Sequence, residues 1–164
     1  MIQTHAAASG GGPTVGQLFM LNPIFGGVSI SRFGTPAMKS ELLPKLIRGE
    51  MCFCMALTEP DAGTNTLELK SFARADGDGW RLNGRKIWIT GVPTAAKMLV
   101  IARTRKLEAG MRRTDGLSLF MIDVDRPGLS HQTIPKLGTN TLASSNVYFD
   151  DVRIEPHEVI GGVD

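Results

Sequence analysis

The periodicity of apolar positions changes once along the chain. Through residue 50 the apolar residues fall in helix-length runs, and from Met51 onward they fall in strand-length runs bounded by turn residues. Pro13-Thr14 opens a helix predicted to run to Asn22, carrying Val15, Leu18, Phe19 and Leu21. A second helix is predicted over residues 24–33, although Gly26-Gly27 lowers its propensity. Gly34-Thr35-Pro36 is a stop followed by a start: glycine closes one helix, threonine caps the next, and proline takes its first position. Pro44 is predicted to kink or restart that helix before Arg48-Gly49-Glu50.

The strand-like part begins with the apolar run 51–57. Residues 69–76 alternate, and Gly77-Asp78-Gly79 turns the chain into residues 80–82. Asn83-Gly84 is the strongest hairpin signal, with residues 85–90 as the returning strand. Further strands are predicted over 98–102 and 117–124, separated by a charged loop over 103–115. Strands over 129–134 and 146–152 complete the set. Six or seven antiparallel strands at this spacing form a small barrel or sandwich. The fold class is therefore α+β, with N-terminal helices followed by a small antiparallel β-barrel. The division is a flexible stretch over 1–12, a helical part over 13–50 and a β-domain over 51–164.

Composition narrows the class. The chain has 164 residues, 42% hydrophobic and 21% charged, which suits one sizeable core in a soluble globular protein. A formal charge of +2, with Lys and Arg spread evenly, argues against a nucleic-acid surface. No apolar run has the length of a membrane span, and residues 1–12 lack a signal-peptide pattern. Cys52 and Cys54 stand two apart on one predicted strand, without neighbouring histidines. They read as reduced thiols rather than metal ligands and fit a cytoplasmic protein. His5, His131 and His157 form no cluster and receive no role.

Residues 55–65, Met-Ala-Leu-Thr-Glu-Pro-Asp-Ala-Gly-Thr-Asn, carry the first candidate chemistry. A strand stops at Thr58-Glu59-Pro60 and gives way to Pro-Asp-Ala-Gly turn chemistry. Such a turn leaves backbone donors at a strand end, flanked by the hydroxyls of Thr58 and Thr64. These donors suit an electron-rich planar ring or a phosphate, and the same residues also describe an ordinary strand exit. Further on stands Asn83-Gly84-Arg85-Lys86-Ile87-Trp88-Ile89-Thr90-Gly91. Taken singly, Trp88 reads as core, Thr58 and Thr90 as β-formers, and Met55 and Leu57 as strand interior.

In that order, A-L-T-E-P-D-A-G-T followed by N-G-x-K-x-W-I-T resembles the flavin-binding middle domain of the acyl-CoA dehydrogenases. The resemblance extends over residues 13–162, and residues 34–50 are similar to that family's helical lead-in. It implies FAD as cofactor, with Met55, Leu57 and Thr58 lining the strand end. Gly63 and Thr64 would bring donors to the cofactor, Thr64 also to the acyl thioester. Trp88, Ile89 and Thr90 would cover the ring, Thr90 nearest its reactive centre. An acyl-CoA substrate, an acceptor like electron-transferring flavoprotein and a homo-oligomer are implied as well. Departures are Thr64-Asn65 in place of Ser-Asp, Gly91 in place of Asn, and Asn140 in place of a frequent Arg.

A usual member is more than twice as long, and the family's general base lies in a C-terminal helical domain with no counterpart here. No catalytic base is therefore assigned, and Glu59 is read as holding its turn. Without that domain the apolar segment Leu18-Phe19-Met20-Leu21 and Ile24-Phe25 is expected to be exposed. Two alternatives stay open on sequence alone: a flavin-dependent oxidase or monooxygenase on the same scaffold, and a non-catalytic β-domain acting as an interaction module.

Overall fold

Asn22 joins the helical lead-in to the sheet: its Oδ1 accepts a hydrogen bond from the Phe53 amide at 2.5 Å. The computed structural model describes residues 16–17 and 20–163. Half of the helix expected over 13–22 lies outside these residues. The helix expected over 24–33 takes two pitches, a π-helical segment over Met20–Val28 followed by α1 over Ser29–Phe33. Gly26 and Gly27, which weaken the sequence signal, are required by packing. A Cβ on Gly26 would lie 2.1 Å from Phe53 Cδ2, and one on Gly27 2.8 Å from Leu46 Cδ2. Helix α2 spans Pro36–Ile47, and the Thr35 hydroxyl caps it by accepting from the Met38 amide at 3.1 Å. Pro44 neither breaks nor restarts α2; near the helix end it removes one amide donor without ending the run.

Eight strands follow: β1 Phe53–Ala56, β2 Phe72–Asp76, β3 Gly79–Thr90, β4 Lys97–Arg103, β5 Leu117–Asp123, β6 Leu129–Thr133, β7 Ser144–Ile154 and β8 Val159–Ile160. Their ladder runs β6-β7-β3-β2-β4-β5-β8, and β1 joins from the side by pairing in parallel with β4. The α+β order of helices before strands holds. The closed antiparallel barrel does not: the sheet is mixed, and among the described residues no pairing joins β6 to β8.

The expected hairpin at Asn83-Gly84 is also corrected. The turn is Gly77-Asp78, closed by the Asp76–Gly79 pair, with Gly77 at φ 63°. Strand β3 runs straight through Asn83-Gly84, and the irregularity there lies on the partner strand, where Asp150 and Asp151 of β7 together face Asn83. Gly84 sits at φ 153° against Ser71, and Asn83 Oδ1 accepts from the Asp151 amide at 2.9 Å. The asparagine thus serves a cross-strand contact rather than its own turn.

Alternation along β1 divides the interior. Cys54 and Ala56 face a core with Leu82, Ile89, Val100, Phe120 and Val152. Phe53 faces Leu99, Met121 and the helical residues Ile30, Met38 and Leu42. Cys52 and Cys54 are free thiols; burial pushes the Cys54 thiol up to about 12. Among the described residues no cluster of His, Cys, Asp and Glu could hold a metal, and no helix is long and apolar enough to cross a membrane. The charged loop after β4 is tied inward by Arg103. Its buried guanidinium donates to the carbonyls of Leu67, Leu69, Arg113 and Asp115. Met20 and Ile24 are exposed as expected, together with Val28, whereas Leu21 and Phe25 are half-buried. Leu18 and Phe19 lie outside the described residues.

Candidate functional site

At the exit of β1 the chain folds back on itself. Glu59 and Ala62 exchange two backbone hydrogen bonds of 3.1 Å, placing Pro60 and Asp61 at the tip of a tight turn. The Glu59 side chain points inward, 5% exposed. Its carboxylate accepts from the Lys70 amide at 2.6 Å, the Ser71 amide at 3.0 Å and Lys86 Nζ at 2.9 Å. Burial alone would raise its pKa, but the Lys86 charge and these donors outweigh burial and hold it below the usual carboxylate range. Burial in turn pulls the Lys86 ammonium below the ordinary lysine value, against the opposing pull of Glu59. A carboxylate so engaged holds its turn, as the sequence reading has it.

Lys86 reaches this point from the middle of β3 and is fully buried. Besides Glu59 it donates to the carbonyls of Leu57 at 3.0 Å and Ile101 at 2.7 Å. Its neighbour Ile87 donates its amide to the Thr58 carbonyl at 2.9 Å. The Thr-Glu-Pro turn and the Lys-x-Trp-Ile-Thr strand, distant in sequence, are thus bonded along three consecutive residues, 57–59.

Immediately after this joint β3 carries one residue more than its partner. Lys86 pairs with Val147 and Ile89 with Ser145, so Ile87 and Trp88 together face Asn146. Trp88 lies in this bulge at φ 61° with 54% of its surface exposed. A bulky side chain in the left-handed region costs about 1–3 kcal/mol, and an indole more than half exposed gains only part of the burial that would offset it. Trp80, by contrast, is half-buried and packs on Phe120 with ring centroids 6.1 Å apart. The strand ends at Thr90, half-buried opposite Ser144, and at Gly91, at φ 83° with its amide on the Ala143 carbonyl.

The structure brings Leu57, Thr58 and Trp88 to one place and leaves Thr90 beside them on the same strand. Gly63 and Thr64 are exposed on the far side of the turn, with open space around Gly63. Ile89 is buried in the core, so its side chain is unavailable to a ligand. Met55 is half-buried and packs on the Phe53–Leu99–Met121 cluster. Lys86 is the residue that sequence reasoning missed. Its signal was a lysine within a strand-like run whose neighbours are apolar, a placement that demands buried partners.

Residues 54–152 match the family described as acyl-CoA dehydrogenase, middle domain. The chain belongs to the acyl-CoA dehydrogenase family. Both halves of the joint, 57–59 and 86–90, lie inside that match. The acyl-CoA dehydrogenase FadE12 of Mycobacterium tuberculosis is 33% identical over 147 residues, covering 90% of this chain and 37% of that protein. Among solved structures, acyl-CoA dehydrogenase from Geobacillus kaustophilus superposes with a TM-score of 0.85 at 27% identity, over 93% of this chain and 40% of that one. A glutaryl-CoA dehydrogenase from Mycobacterium smegmatis, in complex with FADH2, gives 0.72 at 35% identity, over 80% and 32%. The chain thus spans well under half the length of these acyl-CoA dehydrogenases.

Proposed function

We propose that this domain binds FAD and belongs to an enzyme that oxidises an acyl-CoA thioester between its α and β carbons. The observation that carries the reading is Trp88, an indole held outward in a strained backbone beside the Thr-Glu-Pro turn. The surroundings fit a flat ring. An exposed aromatic face lies next to half-buried Leu57, Thr58 and Thr90, and Gly63 and Gly91 leave space that a Cβ would otherwise begin to fill. In this reading Trp88 packs its face on the isoalloxazine. Thr58 and Thr90 offer hydroxyls at its edge, Met55 and Leu57 border it, and Ile89 contributes backbone alone. Gly63 and Thr64 approach the cofactor and the thioester, whose carbonyl needs hydrogen-bond donors while its α-proton is removed. Bound FAD supplies the hydride acceptor. A separate electron-accepting protein and a homo-oligomeric assembly complete the proposal.

The test is to express the whole reading frame that carries this sequence and purify it. A yellow protein whose visible flavin absorbance bleaches on anaerobic addition of an acyl-CoA supports the reading. A protein that neither retains nor takes up FAD ends it.

A further inference from the structure

The joint between the two motifs turns on one side chain. The three protons of the Lys86 ammonium meet three acceptors from separate places: Leu57 O, Glu59 Oε1 and Ile101 O. Two of these flank Thr58, so Lys86 fixes Thr58 from both sides. The carbonyl held in this way is the one that receives the Ile87 amide. Ile87 is the first residue of the bulge, and Trp88, at φ 61°, is the second.

We propose that Lys86, with Glu59 as its counter-ion, is the positioning residue that holds Trp88 in its left-handed, outward conformation for cofactor contact. The proposal rests on the flavin reading above. A bulky residue in that region relaxes unless its surroundings determine it. The surroundings here are the Ile87–Thr58 bond and, behind it, the Lys86 tripod. Stability alone does not call for such a pair, since a buried ion pair is often replaced by apolar residues without loss. What an apolar pair cannot supply is a directed bond on either side of Thr58, to the Leu57 carbonyl and to the Glu59 carboxylate.

The experiment compares the wild type with Lys86→Met and with the apolar swap Glu59→Leu/Lys86→Met, all in a Trp80→Phe background so that Trp88 is the sole indole of residues 1–164. Three quantities are read: unfolding midpoint, amide exchange of Ile87 together with near-UV dichroism of Trp88, and FAD affinity of the protein from the whole reading frame. The swap is expected to regain most of the stability lost in Lys86→Met. Ile87 exchange should stay at least tenfold faster than wild type, the Trp88 signal should stay altered, and FAD should bind at least tenfold more weakly. A swap that restores the Ile87 protection and the Trp88 signal overturns the positioning role, whatever FAD does. If the wild type binds no FAD, the flavin reading fails and the proposal falls with it.

Glu59→Gln guards against misfolding, because it keeps a carbonyl oxygen for Lys86. It should speed Ile87 exchange about threefold or more. Unchanged exchange there would also overturn the proposal.

Discussion

Lys86 Nζ lies 2.9 Å from Glu59 Oε1, with the lysine fully buried and the glutamate nearly so. Each is the partner that makes the other's burial tolerable, and all three ammonium protons of Lys86 are used. Lys86→Met alone therefore strands a buried carboxylate. It should destabilise the chain by about 3–5 kcal/mol, read as a lower urea midpoint at unchanged slope. A loss under 1 kcal/mol would show that water reaches Glu59.

The same pair sets an acid limit. Glu59 has its pKa lowered from the ordinary 4.5 in the fold. Its contribution is therefore fully present above 4.5 and is lost as pH falls through the lower folded value. Stability of the wild type should drop steeply below about pH 4, whereas Glu59→Gln starts lower and is flatter across that window. Parallel acid-unfolding curves for the two proteins would contradict this assignment.

Two glycines separate close packing from open turn. At Gly84 an added Cβ would lie 2.3 Å from Ser71 Oγ and 2.8 Å from its Cα, whereas at Gly63 nothing lies within 4 Å. Gly84→Ala should cost about 1–3 kcal/mol through overpacking and strain, and Gly63→Ala should stay within about 0.5 kcal/mol. Thermal midpoints of the two variants check the contrast.

Much of this architecture was legible in the sequence, and the losses have specific causes. Thr35-Pro36 announced α2 because capping is local, and the apolar run over 51–57 announced β1 because it is short and ends in turn residues. Asn83-Gly84 misled because the glycine serves a close approach to Ser71 and the asparagine a contact to the Asp151 amide, both partners being distant in sequence. The parallel pairing of β1 with β4 is likewise non-local, and no periodicity reports strand direction. At the site, the two motifs were visible, but the side chain joining them was not, because its acceptors are mostly backbone carbonyls. Trp88 read alone as core is exposed, and Ile89 read as a ring contact is core. The extra residue in β3 puts the indole outside and the isoleucine inside.

The two cysteines offer a simple check on burial. Cys54 is 1% exposed with its thiol pushed up to about 12, while Cys52 is half-buried. At pH 8 a disulfide reagent should modify Cys52 well before Cys54, with the second thiol reacting only on unfolding. Equal rates would mean that β1 opens readily.

The hydroxyl of Thr90 tests the electronic part of the site. Thr90→Val keeps the shape of the side chain and removes a donor. In the flavin-loaded protein it should shift the reduction potential with little change in FAD affinity. An unchanged potential would remove Thr90 from the ring's surroundings.

If the strained, exposed Trp88 contacts a flavin, Trp88→Ala removes that contact. FAD titration into the apoprotein of wild type and variant, from the whole reading frame, measures the contact. Binding at least tenfold weaker is expected, about 1.4 kcal/mol, with unfolding stability little changed, because alanine keeps the Cβ that strains the left-handed backbone. Equal FAD affinity in the two proteins would contradict it.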